Sequence, residues 1–154
     1  MQIEDKLRQY AEQQPHKTAL ICGDVAYTYG QLWQDVTAKV DAMGDVKGRL
    51  VPLIATSTAD FLITYFAVHV AGAVAVPLHK DLPKSKLDEY SARLSRGSAP
   101  EGVADILFTT GTTGNAKAVM ISHQTIWANA ENLVFSQGFS SDVTFIINGP
   151  LNHI

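Results

Sequence analysis

Cysteine is nearly absent from this chain of 154 residues, which contains only Cys22. A single cysteine excludes an internal disulfide, and such a composition is typical of a reducing compartment, so we expect a cytoplasmic protein. The first five residues also lack the basic-then-apolar pattern of a signal peptide. Because the five histidines are dispersed and show no metal-ligand spacing, the sequence predicts no metal site.

A strong excess of charge is lacking as well. The formal net charge is −3, from 12 basic and 15 acidic residues, which gives no electrostatic reason to bind nucleic acid or an anionic membrane. An uncharged run at 61–78 has about the minimum length of a membrane span. Gly72 and Pro77 interrupt this run. We therefore predict no membrane span, but a buried helix capped by Thr58 and then a buried strand at 73–76.

Repeats and low-complexity segments are also missing, and helical and strand patterns alternate along the chain. The predicted helices are 3–13, 29–43 with a Thr28–Gln31 capping box, 58–72, 84–95 and 123–136. The predicted strands are 19–22, 25–27, 50–55, 73–76, 105–109, 118–122 and 143–148. This order favours an α/β fold with a mostly parallel sheet flanked by helices. Residues 96–102 are predicted to form a flexible connector.

The most informative stretch runs from Thr109 to Lys117 and reads Thr-Thr-Gly-Thr-Thr-Gly-Asn-Ala-Lys. Its glycines tolerate positive φ, its hydroxyls add hydrogen-bond donors and its lysine adds a positive charge, as a phosphate-binding loop requires. A plain turn between two strands is the alternative. The spacing is not that of the P-loop, because Ala116 replaces the second glycine and Ala118 follows the lysine.

Residues 108–119 closely resemble the phosphate-binding signature of the adenylate-forming superfamily, which includes acyl-CoA synthetases, luciferases and the adenylation domains of peptide synthetases. The usual pattern is aromatic-Thr-Ser-Gly-Thr-Thr-Gly-x-Pro-Lys-Gly-Val, followed by Ser-His. Here Thr110 replaces Ser, Ala116 replaces Pro and Ala118 replaces Gly, and Ser122-His123 is in place. Three further segments resemble the family in the expected order: 18–32, 60–77 and 149–153.

The resemblance implies that residues 1–154 form the N-terminal portion of an AMP-binding (adenylation) domain. Family members are longer, and their magnesium ligand, ribose-binding aspartate, hinge and catalytic lysine of the C-terminal domain have no counterpart in these residues. We therefore expect this chain alone to be inactive, and we expect its uncovered apolar face to promote self-association. The stretch between Pro77 and Asp105 is shorter than in the family, which usually fits an extra strand and helix there.

By resemblance, the parent enzyme joins a carboxylic acid to ATP, giving acyl-AMP and pyrophosphate, and then transfers the acyl group to CoA, as in fatty acid metabolism. ATP with Mg²⁺ and CoA are the implied co-substrates. Lys117 is the implied catalytic residue, and His153 the implied acyl-substrate residue. The implied ATP-phosphate ligands are Thr109, Thr110, Gly111, Thr112, Thr113, Gly114 and Lys117.

Three alternatives stay open beside the acyl-CoA ligase. The chain fits a fragment of an amino-acid-adenylating domain, although Ser122-His123 favours the acyl-CoA branch. It also fits a non-catalytic nucleotide-binding module, or a scaffold protein of ligase-like fold. Of the other histidines, His69 is predicted to be a satisfied helix residue and His123 to be structural.

Overall fold

The computed structural model describes residues 2–109, 117–149 and 151. Helices and strands alternate along these ranges, as the sequence predicts. The elements are α1 (Ile3–Gln13), β1 (Thr18–Cys22), β2 (Val25–Thr28), α2 (Tyr29–Met43), β3 (Leu50–Ala55), α3 (Ala59–Val70), β4 (Val74–His79), α4 (Lys84–Leu94), β5 (Val103–Thr109), β6 (Lys117–Ser122) and α5 (His123–Gln137).

The main sheet has four strands in the order β3-β4-β5-β6. Strands β3 and β4 are parallel, from Leu50 beside Val74 to Ala55 beside His79. Strand β5 is parallel to β4, and β6 is antiparallel to β5. Strands β1 and β2 form a separate antiparallel hairpin. The prediction of an α/β fold with a mostly parallel sheet and flanking helices is confirmed.

Helices cover both faces of the sheet because side chains alternate along each strand. On β4, Ala75 packs in a cluster with Phe61 and Val68 of α3. The adjacent residue Val76 packs on the other face, in a cluster that includes Leu94 of α4. Helices α1 and α2 form a further apolar cluster with α3. The core therefore has two helical layers with the sheet between them.

Local sequence signals place the helix starts. The Thr28 hydroxyl accepts a hydrogen bond from the Gln31 amide at 3.2 Å, and the Gln31 side chain accepts one from the Thr28 amide at 2.9 Å, so the predicted capping box is present. The Thr58 hydroxyl caps α3 by accepting a single hydrogen bond from the Phe61 amide at 3.3 Å. After α3, Gly72 has φ +71°, a conformation that favours glycine, and the chain turns there into β4. Among the described residues, no helix is long and apolar enough to cross a membrane.

Two sequence predictions differ from the structure. Strand β4 runs to His79 and includes Pro77, which lies opposite Leu53. The pairing of β4 with β5 is at Ala75, two residues before this proline. A proline cannot donate to a ladder, so its position beyond that pairing limits the disruption. The predicted buried strand at 143–148 is wrong, because this segment forms no strand and Ile146 is 90% exposed. Its side chains find no covering layer among the described residues, so burial does not favour a strand.

Candidate functional site

The two ends of the glycine-rich loop are held at the base of a β-hairpin. Thr109 ends β5 and Lys117 begins β6, and the two residues are paired across the antiparallel ladder. The Thr109 hydroxyl also donates a hydrogen bond to the Lys117 carbonyl oxygen at 3.4 Å. The predicted loop residues Thr110, Gly111, Thr112, Thr113 and Gly114 lie outside the described residues, as does His153.

The base of this hairpin lies at the carboxyl edge of the parallel strands. Ala55 at the end of β3 is beside His79 at the end of β4. Strands β4 and β5 are parallel, with Ala75 beside Asp105. His79 and Thr109 each lie four residues further along their strands, so they reach the same edge of the sheet. Ligands of open α/β sheets bind outside the carboxyl ends of the strands. The loop is therefore attached where such a fold places its ligand.

Lys117 is exposed at this edge. Within the described ranges its ammonium group forms no ion pair, so its charge is not neutralised by a carboxylate there. Strand β5 beneath it is firmly packed, because the Phe108 ring stacks on Tyr90 of α4 with ring centroids 5.5 Å apart. An exposed cation on β6, next to this packed strand, is available to bind an anion.

A shallow cavity lies elsewhere, between β3 and the start of α3. Its lining includes Pro52, Thr56, Asp60 and Thr64. Strand β3 is two strands away from β5 in the sheet, so this cavity does not coincide with the base of the loop.

A buried polar network lies under the loop-bearing strands. The His69 ring, on α3, donates hydrogen bonds from Nδ1 to Glu4 Oε1 at 2.7 Å and from Nε2 to Asp105 Oδ1 at 2.9 Å. The Tyr65 hydroxyl donates to the other Asp105 oxygen at 2.8 Å. Glu4 is on α1 and Asp105 is on β5. The network therefore connects α1, α3 and the strand that leads into the loop.

The hydrogen bonds set the charge states of this network. Burial alone would lower the pKa of His69, but hydrogen bonds to Asp105 and Glu4, together with their charges, raise that pKa to about 9. Burial and the neighbouring Asp105 raise the pKa of Tyr65, so its hydroxyl keeps its proton. Burial and the positive charge of His69 lower the pKa of His123. The pKa values of the two neighbouring imidazoles are therefore shifted in opposite directions, upward for His69 and downward for His123.

His123 connects the second loop strand to the same network. It follows β6 directly, and its half-buried ring meets the His69 ring edge to face, with centroids 5.0 Å apart. The Ser122 hydroxyl caps α5 by accepting from the Thr125 amide at 3.1 Å. The prediction that His69 is a satisfied helix residue is confirmed, and the contact of His123 with the core agrees with its predicted structural role.

Sequence reasoning missed the partners of His69, namely Glu4, Tyr65 and Asp105. One signal was available. His69 lies in an otherwise apolar segment of α3, and Asp105 lies in an otherwise apolar strand. Two ionisable residues of complementary charge within buried segments favour a contact between them, because a buried charge needs a partner.

Comparison with known proteins gives the family. A family model described as AMP-binding enzyme matches residues 7–94 and 84–154. Feruloyl-CoA synthase from Amycolatopsis sp is 27% identical over 185 residues, which covers 93% of this chain and 38% of that protein. Tyrocidine synthase 3 from Brevibacillus parabrevis is 24% identical over 185 residues, covering 91% of this chain and 3% of the other.

Solved structures also match this chain in fold. The structure of O-succinylbenzoate coenzyme A synthetase (MenE) from Bacillus subtilis in complex with AMP matches with a TM-score of 0.81 at 20% identity, covering 96% of this chain and 49% of that one. The N-terminal subdomain of Klebsiella oxytoca NpsA matches with a TM-score of 0.66 at 23% identity, covering 80% of this chain and 41% of that one. The chain thus spans less than half the length of each of these four relatives.

The lengths of the matches differ from the length of this chain. The family model matches in two parts that overlap at 84–94. The match with feruloyl-CoA synthase extends over 185 residues, more than the 154 of this chain, so that relative has residues without a counterpart in this chain. The position of those residues along the chain does not follow from the match, so the shortened segment between β4 and β5 stays a prediction. The matches cover nearly the whole sequence and the described elements have the same fold, and the chain therefore belongs to the AMP-binding enzyme family.

Proposed function

We propose that this chain is the phosphate-binding portion of an ATP-dependent, AMP-forming carboxylate–CoA ligase. The observation that carries the proposal is the pairing of Thr109 with Lys117 at the carboxyl edge of the sheet. This pairing brings the two ends of the signature loop together, and Lys117, at one of these ends, is exposed. The proposed ATP-phosphate ligands are Thr109, Thr110, Gly111, Thr112, Thr113, Gly114 and Lys117.

In this proposal the loop binds the β- and γ-phosphates of ATP. Threonine hydroxyls and backbone amides donate to phosphate oxygens, and each hydrogen bond to a charged group contributes roughly 1.5–3 kcal/mol. A substrate carboxylate oxygen attacks the α-phosphorus, the bond from that phosphorus to the bridging oxygen breaks, and pyrophosphate leaves. Lys117 offsets the negative charge that develops on pyrophosphate, which is the catalytic role proposed for it.

The co-substrates are part of the same proposal. The acyl-AMP would pass its acyl group to CoA, with His153 beside the acyl group. In this proposal Mg²⁺ is bound by the ATP phosphates and by residues outside this portion, and we expect no turnover by this chain alone.

An amino-acid-adenylating domain is the second candidate. The observation that favours it is the match with tyrocidine synthase 3, which covers 91% of this chain, nearly as much as the match with feruloyl-CoA synthase. Both candidates form an acyl-AMP and use the loop in the same way. They differ in the acid that is activated and in the thiol that accepts it.

The test is to map where a polyphosphate binds. Isotope-labelled protein is titrated with pyrophosphate, and then with ATP and Mg²⁺, while amide resonances are followed by NMR. We expect shifts concentrated at residues 109–117 and their neighbours on β5 and β6, because these amides surround the anion. Weak binding suffices for this measurement, since only the position of the shifts is needed.

The control titration uses sulfate at the same ionic strength, which carries charge but cannot span two phosphate positions. We expect sulfate to cause smaller shifts at the same amides. Shifts that are spread over the surface lysines, or located at another helix start, would refute the assignment of the loop.

A further inference from the structure

Three side chains from different elements converge beside the loop-bearing strands. Glu4 of α1, His69 of α3 and His123 of α5 each present one metal-ligating atom, and these atoms lie within 4.8 Å of one another. Glu4 and His69 are buried, and His123 is half-buried, so the cluster is reached from the surface on the His123 side. Zinc bonds of about 2.0–2.2 Å place the ligands of one ion roughly 3.3 Å apart, so small side-chain shifts would bring this set into range.

Two of the three side chains have unused ligand atoms. Glu4 is only 3% exposed, and its Oε2 atom accepts no hydrogen bond from any described residue. A buried carboxylate oxygen without a partner is costly, and such an atom in a native structure needs an explanation. Neither ring nitrogen of His123 forms a hydrogen bond within the described ranges, so its lone pair is available.

The third ligand, His69, is already oriented by Asp105, which lies outside the ligand set. Asp105 accepts from His69 Nε2 at 2.9 Å and is itself held by the Tyr65 hydroxyl at 2.8 Å. This leaves the other ring nitrogen, Nδ1, pointing at Glu4. Histidines that bind metal ions usually donate their second ring N–H to a carboxylate in this way, which fixes the tautomer and the ring plane.

The charge of the cluster also fits a divalent cation. Glu4 and Asp105 are two buried carboxylates, and the one imidazole between them, His69, can carry at most one positive charge. A divalent ion at Nδ1 would balance both carboxylates. Two imidazoles and one carboxylate are a ligand set that zinc prefers, with a fourth position open to water.

We propose that Glu4, His69 and His123 bind one Zn²⁺ ion, with Asp105 and Tyr65 as the outer partners that orient His69. On binding, the Nδ1 proton of His69 is released to solvent and Glu4 moves from that nitrogen to the ion. The sequence predicted no metal site, because the three ligands are far apart along the chain. The ion would connect α1, α3 and α5, and so fix the two strands that carry the glycine-rich loop.

The experiment uses the full chain without a polyhistidine tag, since a tag would bind zinc itself. The protein is stripped with a chelator, and Zn²⁺ binding is measured by calorimetry, with metal content measured by mass spectrometry after dialysis. We expect one Zn²⁺ per chain and a rise in Tm on binding. Co²⁺ in place of Zn²⁺ should give the absorption spectrum of a tetrahedral site.

Two ligand variants and one control decide the assignment. His123→Ala and Glu4→Gln should each weaken Zn²⁺ binding at least ~10-fold, because a lost ligand costs no less than a lost outer partner. His16→Ala removes an exposed histidine outside the cluster and should bind as the wild type does. Should Glu4→Gln fail to fold by circular dichroism, His123→Ala decides alone. No stoichiometric binding by the wild type, or wild-type affinity in His123→Ala, would overturn the proposal.

Discussion

Helices α3 and α5 begin in the same way but differ completely in burial. Thr58 caps α3 by accepting from the Phe61 amide at 3.3 Å, and Ser122 caps α5 by accepting from the Thr125 amide at 3.1 Å. Six of the 12 residues of α3 are buried, whereas none of the 15 residues of α5 is. Capping therefore sets where a helix begins, and burial depends on how many layers the rest of the chain places around it.

The two helices differ in burial because different elements pack against them. Helix α3 lies between the sheet and the α1–α2 layer, whereas the main contacts of α5 within the described ranges are with β6 and α1. Phe135 of α5 is 90% exposed, and so is Ile146 in the following segment. Exposed apolar patches of this kind are usually covered by another part of a protein or by a partner. Self-association through this surface stays a prediction.

Replacing one phenylalanine of each helix with alanine tests this comparison, and it has the largest expected effect on the free energy of unfolding. Phe61→Ala in α3 should lower the free energy of unfolding by ~3–5 kcal/mol, because it leaves a cavity against β3 and β4. Phe135→Ala in α5 should change it by less than ~0.5 kcal/mol, since an exposed ring loses little packing. Urea unfolding followed by circular dichroism gives both values. Similar losses for the two variants would show that α5 is covered, for instance by self-association.

Replacing the two capping residues tests the same comparison, with a smaller expected effect on the free energy of unfolding. Thr58→Ala should lower the free energy of global unfolding by ~1 kcal/mol, as is usual for a lost N-cap. Ser122→Ala should lower it by less, because α5 contributes little to the cooperative core. Its effect should appear as faster hydrogen exchange in the first turn of α5. A larger global loss for Ser122→Ala than for Thr58→Ala would contradict this ranking.

Much of the fold could be predicted because its signals are local. The α1 helix, the β1–β2 hairpin, the Thr28 capping box and the Ser122 cap each depend on residues within a few positions of one another. The strand predicted at 143–148 failed for the opposite reason. Its apolar residues fit a buried strand only if other chain segments cover them, and a pattern of residues does not state which segments are present.

The buried network was not predictable in the same way. Glu4 and Asp105 are 65 and 36 residues from His69 along the chain, so no local spacing reveals the contact. The glycine-rich loop was recognised by resemblance and by its chemistry, and the structure adds the pairing of Thr109 with Lys117 at its base. The roles of Thr110, Gly111, Thr112, Thr113, Gly114 and His153 stay predictions.

The central claim is that the loop between β5 and β6 binds a polyphosphate with the help of Lys117. The most direct measurement compares the Kd of pyrophosphate, by calorimetry, for the wild type, Lys117→Ala and Lys47→Ala. Lys47 is an exposed lysine just before β3, at the opposite edge of the sheet, so its loss changes the net charge equally. We predict binding at least ~10-fold weaker for Lys117→Ala and nearly unchanged for Lys47→Ala. Equal affinities for the two variants would contradict the claim.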